Sequence, residues 1–233
     1  MTSETKVCSV MQPTYLPWAG YFNLIAQSDI FIFYDSANFS KGSWQSRNRI
    51  LVQGEIQWIS LPILHVKNQQ IKNTQLHKKI NWPRKHINQL LNSYSKHPFI
   101  SELTPMLNLL ETNRFSTLAD LNIEIITWFA NQLGVNTPFY RTSELDIPLK
   151  ATRSQKLESI CDQFNCGVYL SPVGAEQYLT EDKAFTNTNS VLKYQNFVPN
   201  RYSHHKQDRY TPYLSIFDVV ANIGFKATSN YIK

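Results

Sequence analysis

Asp35 follows directly on the apolar run Ile30–Tyr34. Six residues later Lys41 opens the stretch K-G-S-W-Q-S-R-N-R, ending at Arg49, which packs three cations and an indole into nine positions. A carboxylate beside buried apolar residues is costly unless it faces a cleft or a partner. Asp35 is therefore a candidate general base, ribose-hydroxyl acceptor or metal ligand, the other reading being an Asx-turn or cap at a strand end. On an extended chain Arg47 and Arg49 point the same way, flanking Asn48, and paired guanidinium groups suit phosphate or carboxylate. Trp44 adds an N–H donor and a stacking face; a solvated basic edge strand is the alternative.

A second constellation is the loop from Gln12 to Gly20, running on to Tyr21. Pro13, Pro17 and Gly20 restrain its backbone, while Tyr15, Trp18 and Tyr21 make it aromatic. Over exposed amides at a helix N-terminus such a loop suits a phosphate; its alternative role is to pack a tight crossover. Lys150, Thr152 and Arg153 precede another helix start, where cations beside exposed N–H groups favour an anion. Ser171 and Gly174 bracket a turn that could grip an anion through backbone amides. His204, His205 and Asp208 lack a third strong ligand nearby in sequence, so no metal is expected. The polar, aromatic loop Asn200–Tyr213 reads as a lid over the cleft, and His86 and His97 as surface residues.

Positioning these groups requires strands that end abruptly. Val7–Met11 and Ile30–Tyr34 read as strands, and Gly20–Gln27 between them has room for about two helical turns, giving a βαβ unit. A hairpin follows, Ile50–Gln53 and Ile56–Leu61, turning at Gly54 and Glu55. Residues 81–134 read as a helical sub-lobe of three helices: Ile87, Leu90, Leu91 and Tyr94 fall at helical spacing after Trp82 and Pro83. Leu103, Leu107 and Leu110 continue the pattern, and Leu118 to Leu133 form a stripe ended by Gly134. Alternation then returns: strand Phe139–Thr142, helix Ser154–Phe164, strand Val168–Leu170, a turn and helix through Tyr178, and strand Val191–Phe197. Ser215 caps a last helix, with Asp218 as its third-position partner.

Strands alternating with helices at both ends of the chain predict an α/β fold, a mostly parallel sheet covered on both faces with a helical insertion. The whole chain, 1–233, is read as a single α/β domain. Ligands in such sheets bind beyond the carboxyl ends of the strands, which is the rim where the Gln12–Gly20 loop, Asp35–Arg49, Lys150–Ser154 and Ser171–Gly174 collect.

At 233 residues with a hydrophobic fraction of 42% the chain can bury an ordinary globular core. Lys and Arg exceed Asp and Glu by 23 to 17, a net charge of +6, which permits a polyanionic partner without demanding one. The cations are spread along the chain, which lowers the expectation of a nucleic-acid partner. Cys8, Cys161 and Cys166 lack the spacing of a zinc site, and a reduced, cytoplasmic protein is the natural reading. No window approaches the roughly 18 apolar residues of a membrane span.

The run M-Q-P-T-Y-L-P-W-A-G-Y-F-N-L-I from Met11, with F-I-F-Y-D ending at Asp35 and F-S-K-G-S-W-Q-S-R-N-R-I from Phe39, resembles the opening of the WbqC-like proteins. Later matches are L-x-x-I-C at Leu157–Cys161, V-Y-L-S-P-V-G-A-E-Q-Y-L at Val168–Leu179 and Y-T-P-Y-L-S-I-F-D-V-V-A-N-I-G at Tyr210–Gly224. The resemblance implies a role in bacterial surface-polysaccharide and O-antigen assembly. Ser36 stands where many members carry a second acidic residue, which puts a two-carboxylate metal site in doubt. Pro13 and Thr14 leading to Trp18-Ala19-Gly20-Tyr21 is also similar to the opening of pantothenate synthetase and its adenylyltransferase relatives. That similarity implies their Rossmann-like nucleotide-binding fold. Both histidines of their H-x-G-H motif are replaced, so adenylyl transfer by the same means is not implied.

Together these readings give a group-transfer enzyme acting on a nucleotide-linked or phosphorylated sugar, with acyl or aminoacyl transfer to an amino sugar as one form. Asp35 and Lys41 are the expected catalytic residues, and Arg47 and Arg49 with Lys41 hold the anion. Trp18, Tyr21 and Trp44 supply the walls, and no cofactor is identified. The competing reading is a non-catalytic module for a nucleotide-sugar or single-stranded nucleic acid.

Overall fold

The computed structural model describes residues 5–148, 151–205 and 209–233. Lys150, Lys206 and Asp208 lie outside the described residues. Five parallel strands form the main sheet: β1 (Val7–Met11), β2 (Ile30–Phe33), β7 (Phe139–Arg141), β8 (Val168–Ser171) and β9 (Val191–Tyr194). Their spatial order is β7-β2-β1-β8-β9, and β1 pairs in parallel with β2 on one side and β8 on the other. Counted along the sheet's own strands the order is 3-2-1-4-5, so the chain winds outward from β1 in both directions. The order reverses between β1 and β8, the switch point at which crossovers leave a crevice at the strand ends.

Side chains alternate across this sheet with the period of two that a pleated strand imposes. Phe31, Phe33 and Leu170 face one layer, built from α1 (Ala19–Ala26), α2 (Trp82–Tyr94), α3 (Thr104–Glu111), α4 (Leu118–Gln132) and α7 (Ile216–Tyr231). Cys8, Val10, Ile30, Ile32 and Tyr169 face the other, covered by α5 (Arg153–Gln163) and α6 (Glu176–Glu181). Helices on both faces are the geometric result of right-handed crossovers running to opposite sides of β1. Fully burying a residue such as Phe31 or Phe33 contributes about 1.5–3 kcal/mol, and these two rings pack edge to face at 5.3 Å.

Local sequence explains the element ends. Thr117 caps α4 by accepting a hydrogen bond from the Asp120 amide. Thr152 and Gln155 form a reciprocal capping box on α5. Ser215 caps α7 through the Phe217 amide; the Asp218 side chain does not complete a capping box there, because tyrosine hydroxyls claim it.

Two short antiparallel pairs stand apart from the main sheet: β3 (Arg47–Val52) with β4 (Glu55–Ser60), and β5 (Ile63–Leu64) with β6 (Gln75–Leu76). The β3–β4 turn falls at Gln53 and Gly54, one residue earlier than the sequence reading, because both take positive φ, 51° and 88°. Two consecutive left-handed residues make the primed turn that matches strand twist. Two other expectations are corrected. His86 is buried, 5% exposed, whereas Leu91 is 37% exposed, since α2 turns Trp82, His86, Leu90 and Tyr94 inward. The strand at Val191 ends at Tyr194 rather than Phe197. Among the described residues no helix is long and apolar enough to cross a membrane.

Candidate functional site

Beyond the carboxyl end of β1 the chain does not pass straight into α1. It makes a turn through Leu16, which takes φ 44° although it carries a branched side chain and has no exposure. A non-glycine residue there costs on the order of 1–3 kcal/mol and needs support from its surroundings. Asn48, inward-facing on β3, gives it: Nδ2 donates to the Tyr15 carbonyl at 3.1 Å and the Leu16 carbonyl at 2.7 Å. Its Oδ1 accepts from the Arg49 amide. Asn122 on α4 donates to the Pro13 and Gln45 carbonyls, tying the same loop to the segment before β3.

The segment before α7 closes the third side. The Ser215 amide donates to the Arg49 carbonyl and the Ile216 amide to the Pro17 carbonyl, while Arg49 Nη2 donates to the Tyr213 carbonyl at 3.0 Å. Tyr213 itself sits at φ 60°. Two left-handed non-glycine residues, Leu16 and Tyr213, thus flank one place, and such strain gathers where a site is held in shape.

Between these three segments is a cavity of about 270 Å³. Met11, Thr14, Pro17, Trp18 and Tyr21 line it from the first segment, Trp44, Asn48 and Arg49 from the second, and Tyr213 from the third. Trp18 packs at 5.2 Å from Tyr213 and 5.7 Å from Phe197, ring centre to ring centre. The Trp18 indole lies directly over Gly20, where a β-carbon would overlap it. Tyr21 donates its hydroxyl to the Gln12 carbonyl, and burial pushes that phenol well up. The Gln12 side chain accepts from Gln45 Nε2.

Of the residues singled out from sequence, Trp18, Tyr21, Trp44, Asn48 and Arg49 line the cavity. Gln12, Pro13, Tyr15 and Gly20 build its frame. Tyr15 is fully buried and donates to His86 Nδ1 at 2.8 Å; His86 Nε2 then donates to the Ser60 carbonyl at 3.1 Å, which fixes the neutral tautomer. Burial holds His86 down at about 4. Arg47 lies next door, its guanidinium carbon 4.0 Å from the Trp58 ring centre.

Six other residues are not brought to this cavity. The Asp35 carboxylate has no exposure and accepts from Thr142 Oγ1 at 3.0 Å, the Ser143 amide at 2.9 Å and Ser143 Oγ at 2.6 Å. It ties the end of β2 to the turn after β7, as a strand-end cap does. Lys41 is exposed. Thr152 is engaged in its capping box, and Arg153 stacks 3.5 Å from the Tyr178 ring centre. The Ser171 hydroxyl is buried against the Pro172 carbonyl, and Gly174 lies in the short 3-10 turn 173–175. The lid loop is pinned: Tyr202 donates to Asp218 at 2.7 Å, and His204 Nδ1 is 3.4 Å from the same carboxylate. Burial raises Asp218. His204 thus pairs with Asp218 rather than joining a cluster with His205.

The sequence reading missed Trp58 beside Arg47, although a signal existed in the register, since Trp58 stands opposite Arg49. Tyr213, read as the end of the aromatic loop over the cleft, lines the cavity.

The fold is that of a parallel α/β protein with a cavity at the carboxyl edge of its sheet. The chain belongs to the WbqC-like protein family, whose profile matches residues 12–230. It is 29% identical over 228 residues to uncharacterized protein Rv1507c of Mycobacterium tuberculosis (strain ATCC 25618 / H37Rv), covering 95% of this chain and 96% of that protein. No solved structure matches the chain.

Proposed function

We propose that this protein binds a phosphorylated or nucleotide-linked sugar in the cavity and acts on it as a group-transfer enzyme of surface-polysaccharide or O-antigen assembly. One observation carries the ligand class: Arg49 is the charged residue in a mostly aromatic and apolar wall, and among the described residues no carboxylate pairs with it. A guanidinium without a counter-ion, set among Trp18, Tyr21, Trp44 and Tyr213, matches a ligand with an anionic group joined to a ring. The place supports the same reading, because the cavity opens at the carboxyl end of β1, next to the reversal of strand order.

The test is a thermal-shift and calorimetric screen of glucose 1-phosphate, sugar nucleotides, acyl-CoA thioesters and inorganic phosphate. A ligand at 100 times its dissociation constant adds about 2.7 kcal/mol of stability. Arg49→Ala should abolish that gain, and a flat response across the set sinks the proposal.

A second reading, a non-catalytic binding module for the same ligand, is favoured by one feature. The described residues that line the cavity include no carboxylate and no imidazole, the usual general bases. Mass spectrometry of a sugar nucleotide incubated with protein and acyl-CoA separates the two: a modified sugar favours the enzyme, and binding without product favours the module.

A further inference from the structure

Where the cavity stops, the β3–β4 hairpin continues its chemistry. Trp58 pairs directly with Arg49 across the hairpin, so both project from one face, and Arg47, two residues along β3, shares that face. The Trp58 ring centre is 5.1 Å from that of Trp44 at an angle of 47°. The Arg49 guanidinium carbon is 5.4 Å from the Trp44 ring and that of Arg47 is 4.0 Å from the Trp58 ring. From the cavity outward the order is Arg49, Trp44, Trp58, Arg47: a cation at each end and two indoles between.

Three observations distinguish this row from a solvated strand face. Trp44 and Trp58 are 46% and 42% exposed, an unusual placement for the largest apolar side chain. The Nε atoms of Arg47 and Arg49 are both shut off from solvent and have no hydrogen-bond partner among the described residues, and neither guanidinium has an acidic partner there. The row is also held rigidly, because the opposite face of the hairpin places Asn48, Ile50 and Ile59 in the interior. Adjacent stacking surfaces flanked by unpaired cations are the elements that recognise a base and its phosphates.

Resting on the reading of the cavity as a sugar-phosphate site, we propose that the row is the subsite for the nucleoside diphosphate part of a nucleotide-linked sugar. The sugar occupies the cavity among Trp18, Tyr21 and Tyr213, Arg49 at the cavity edge takes the diphosphate, the base stacks on the Trp44–Trp58 pair, and Arg47 holds the Trp58 ring from the far end of the row. A sugar monophosphate reaches Arg49 alone.

Calorimetry of the full chain with UDP-glucose, GDP-mannose, dTDP-glucose and glucose 1-phosphate tests this. At least one sugar nucleotide should bind tenfold or more tightly than glucose 1-phosphate. Trp58→Ala should weaken that sugar nucleotide by about tenfold, the equivalent of 1.4 kcal/mol and within the range of one base stacked on an aromatic side chain, and leave glucose 1-phosphate unchanged. Trp58→Phe should restore most of the loss, and Arg47→Gln should reproduce it. Equal affinity for sugar nucleotide and sugar phosphate, or indifference of the sugar nucleotide to both Trp58→Ala and Arg47→Gln, overturns the subsite and leaves the cavity reading standing. No binding by any of the four probes overturns both.

Discussion

The indole of Trp18 rests on the α-carbon of Gly20, two residues later in the chain, so closely that no β-carbon can come between them. The helix entry therefore doubles as the seat of a cavity wall. Gly20→Ala should push Trp18 off that seat toward Tyr213. The expected cost is about 1–3 kcal/mol of stability, typical of overpacking, together with loss of the thermal shift given by any cavity ligand. Trp18→Ala with Gly20→Ala should recover part of the stability but none of the binding, as differential scanning fluorimetry with and without ligand would reveal.

Asn48 supports a strained backbone rather than touching chemistry alone. Removing its amide leaves the Tyr15 and Leu16 carbonyls without their donor and Leu16 without the support for φ 44°. Asn48→Ala should cost about 2–4 kcal/mol, the sum of two lost buried hydrogen bonds. Leu16→Gly relieves the strain but also removes a fully buried side chain, so it should destabilise by itself, while the double variant should lose less than the sum of the two single variants. Urea denaturation midpoints of the single and double variants would measure this, and additive losses would refute the coupling.

Asp35 makes a sharp prediction because all its contacts are internal. Asp35→Asn keeps the shape but sets an amide N–H₂ against a hydroxyl or amide donor. It should lower stability by about 1–3 kcal/mol and leave the dissociation constant of a cavity ligand within twofold. An unchanged melting temperature combined with lost turnover would instead make Asp35 a catalytic base.

Acid should weaken the fold through His86. Its folded-state value near 4 lies below the ordinary 6.5 because burial disfavours the charged ring. Stability from the neutral ring is therefore present above pH 6.5 and declines as pH falls toward 4, since the unfolded chain takes up the proton and the folded chain does not. The full decline is on the order of 3 kcal/mol. His97 is lowered to about 4 as well, chiefly by burial, and acts in the same direction. Denaturant midpoints between pH 7.5 and 4.5 should fall less steeply in His86→Gln; an unchanged slope would show that the ring is not the titrating group.

The parallel sheet was legible in sequence because its strands are short apolar runs bounded by polar turns, as at Val7–Met11 and Ile30–Phe33. The loop after β1 and the Trp44–Arg49 stretch, which line one cavity, stood out in sequence because aromatic and cationic side chains stand there without an apolar period to explain them. Asp35 was legible as a carboxylate in need of a partner, but not which one: its hydroxyl and amide donors come from Thr142 and Ser143, about a hundred residues away and without a sequence signature. His86 was misread because α2 rotates its buried stripe by one position, and Tyr15, whose hydroxyl needs that ring, is distant in sequence. Tyr213 was legible as part of the aromatic loop over the cleft, but its seat against Trp18 is set by hydrogen bonds of Arg49, Ser215 and Ile216 to main-chain carbonyls, which side-chain patterns do not record.

Those same backbone bonds set the order in which the protein can become competent during synthesis. A ribosome-bound chain that has emerged through β9 already holds every strand of the main sheet, yet its cavity lacks the Tyr213 wall and the clamp on Pro17 and Arg49 that the start of α7 provides. The cavity is therefore closed only once the start of α7 has docked against the first loop, and any molecule held there would favour that docking.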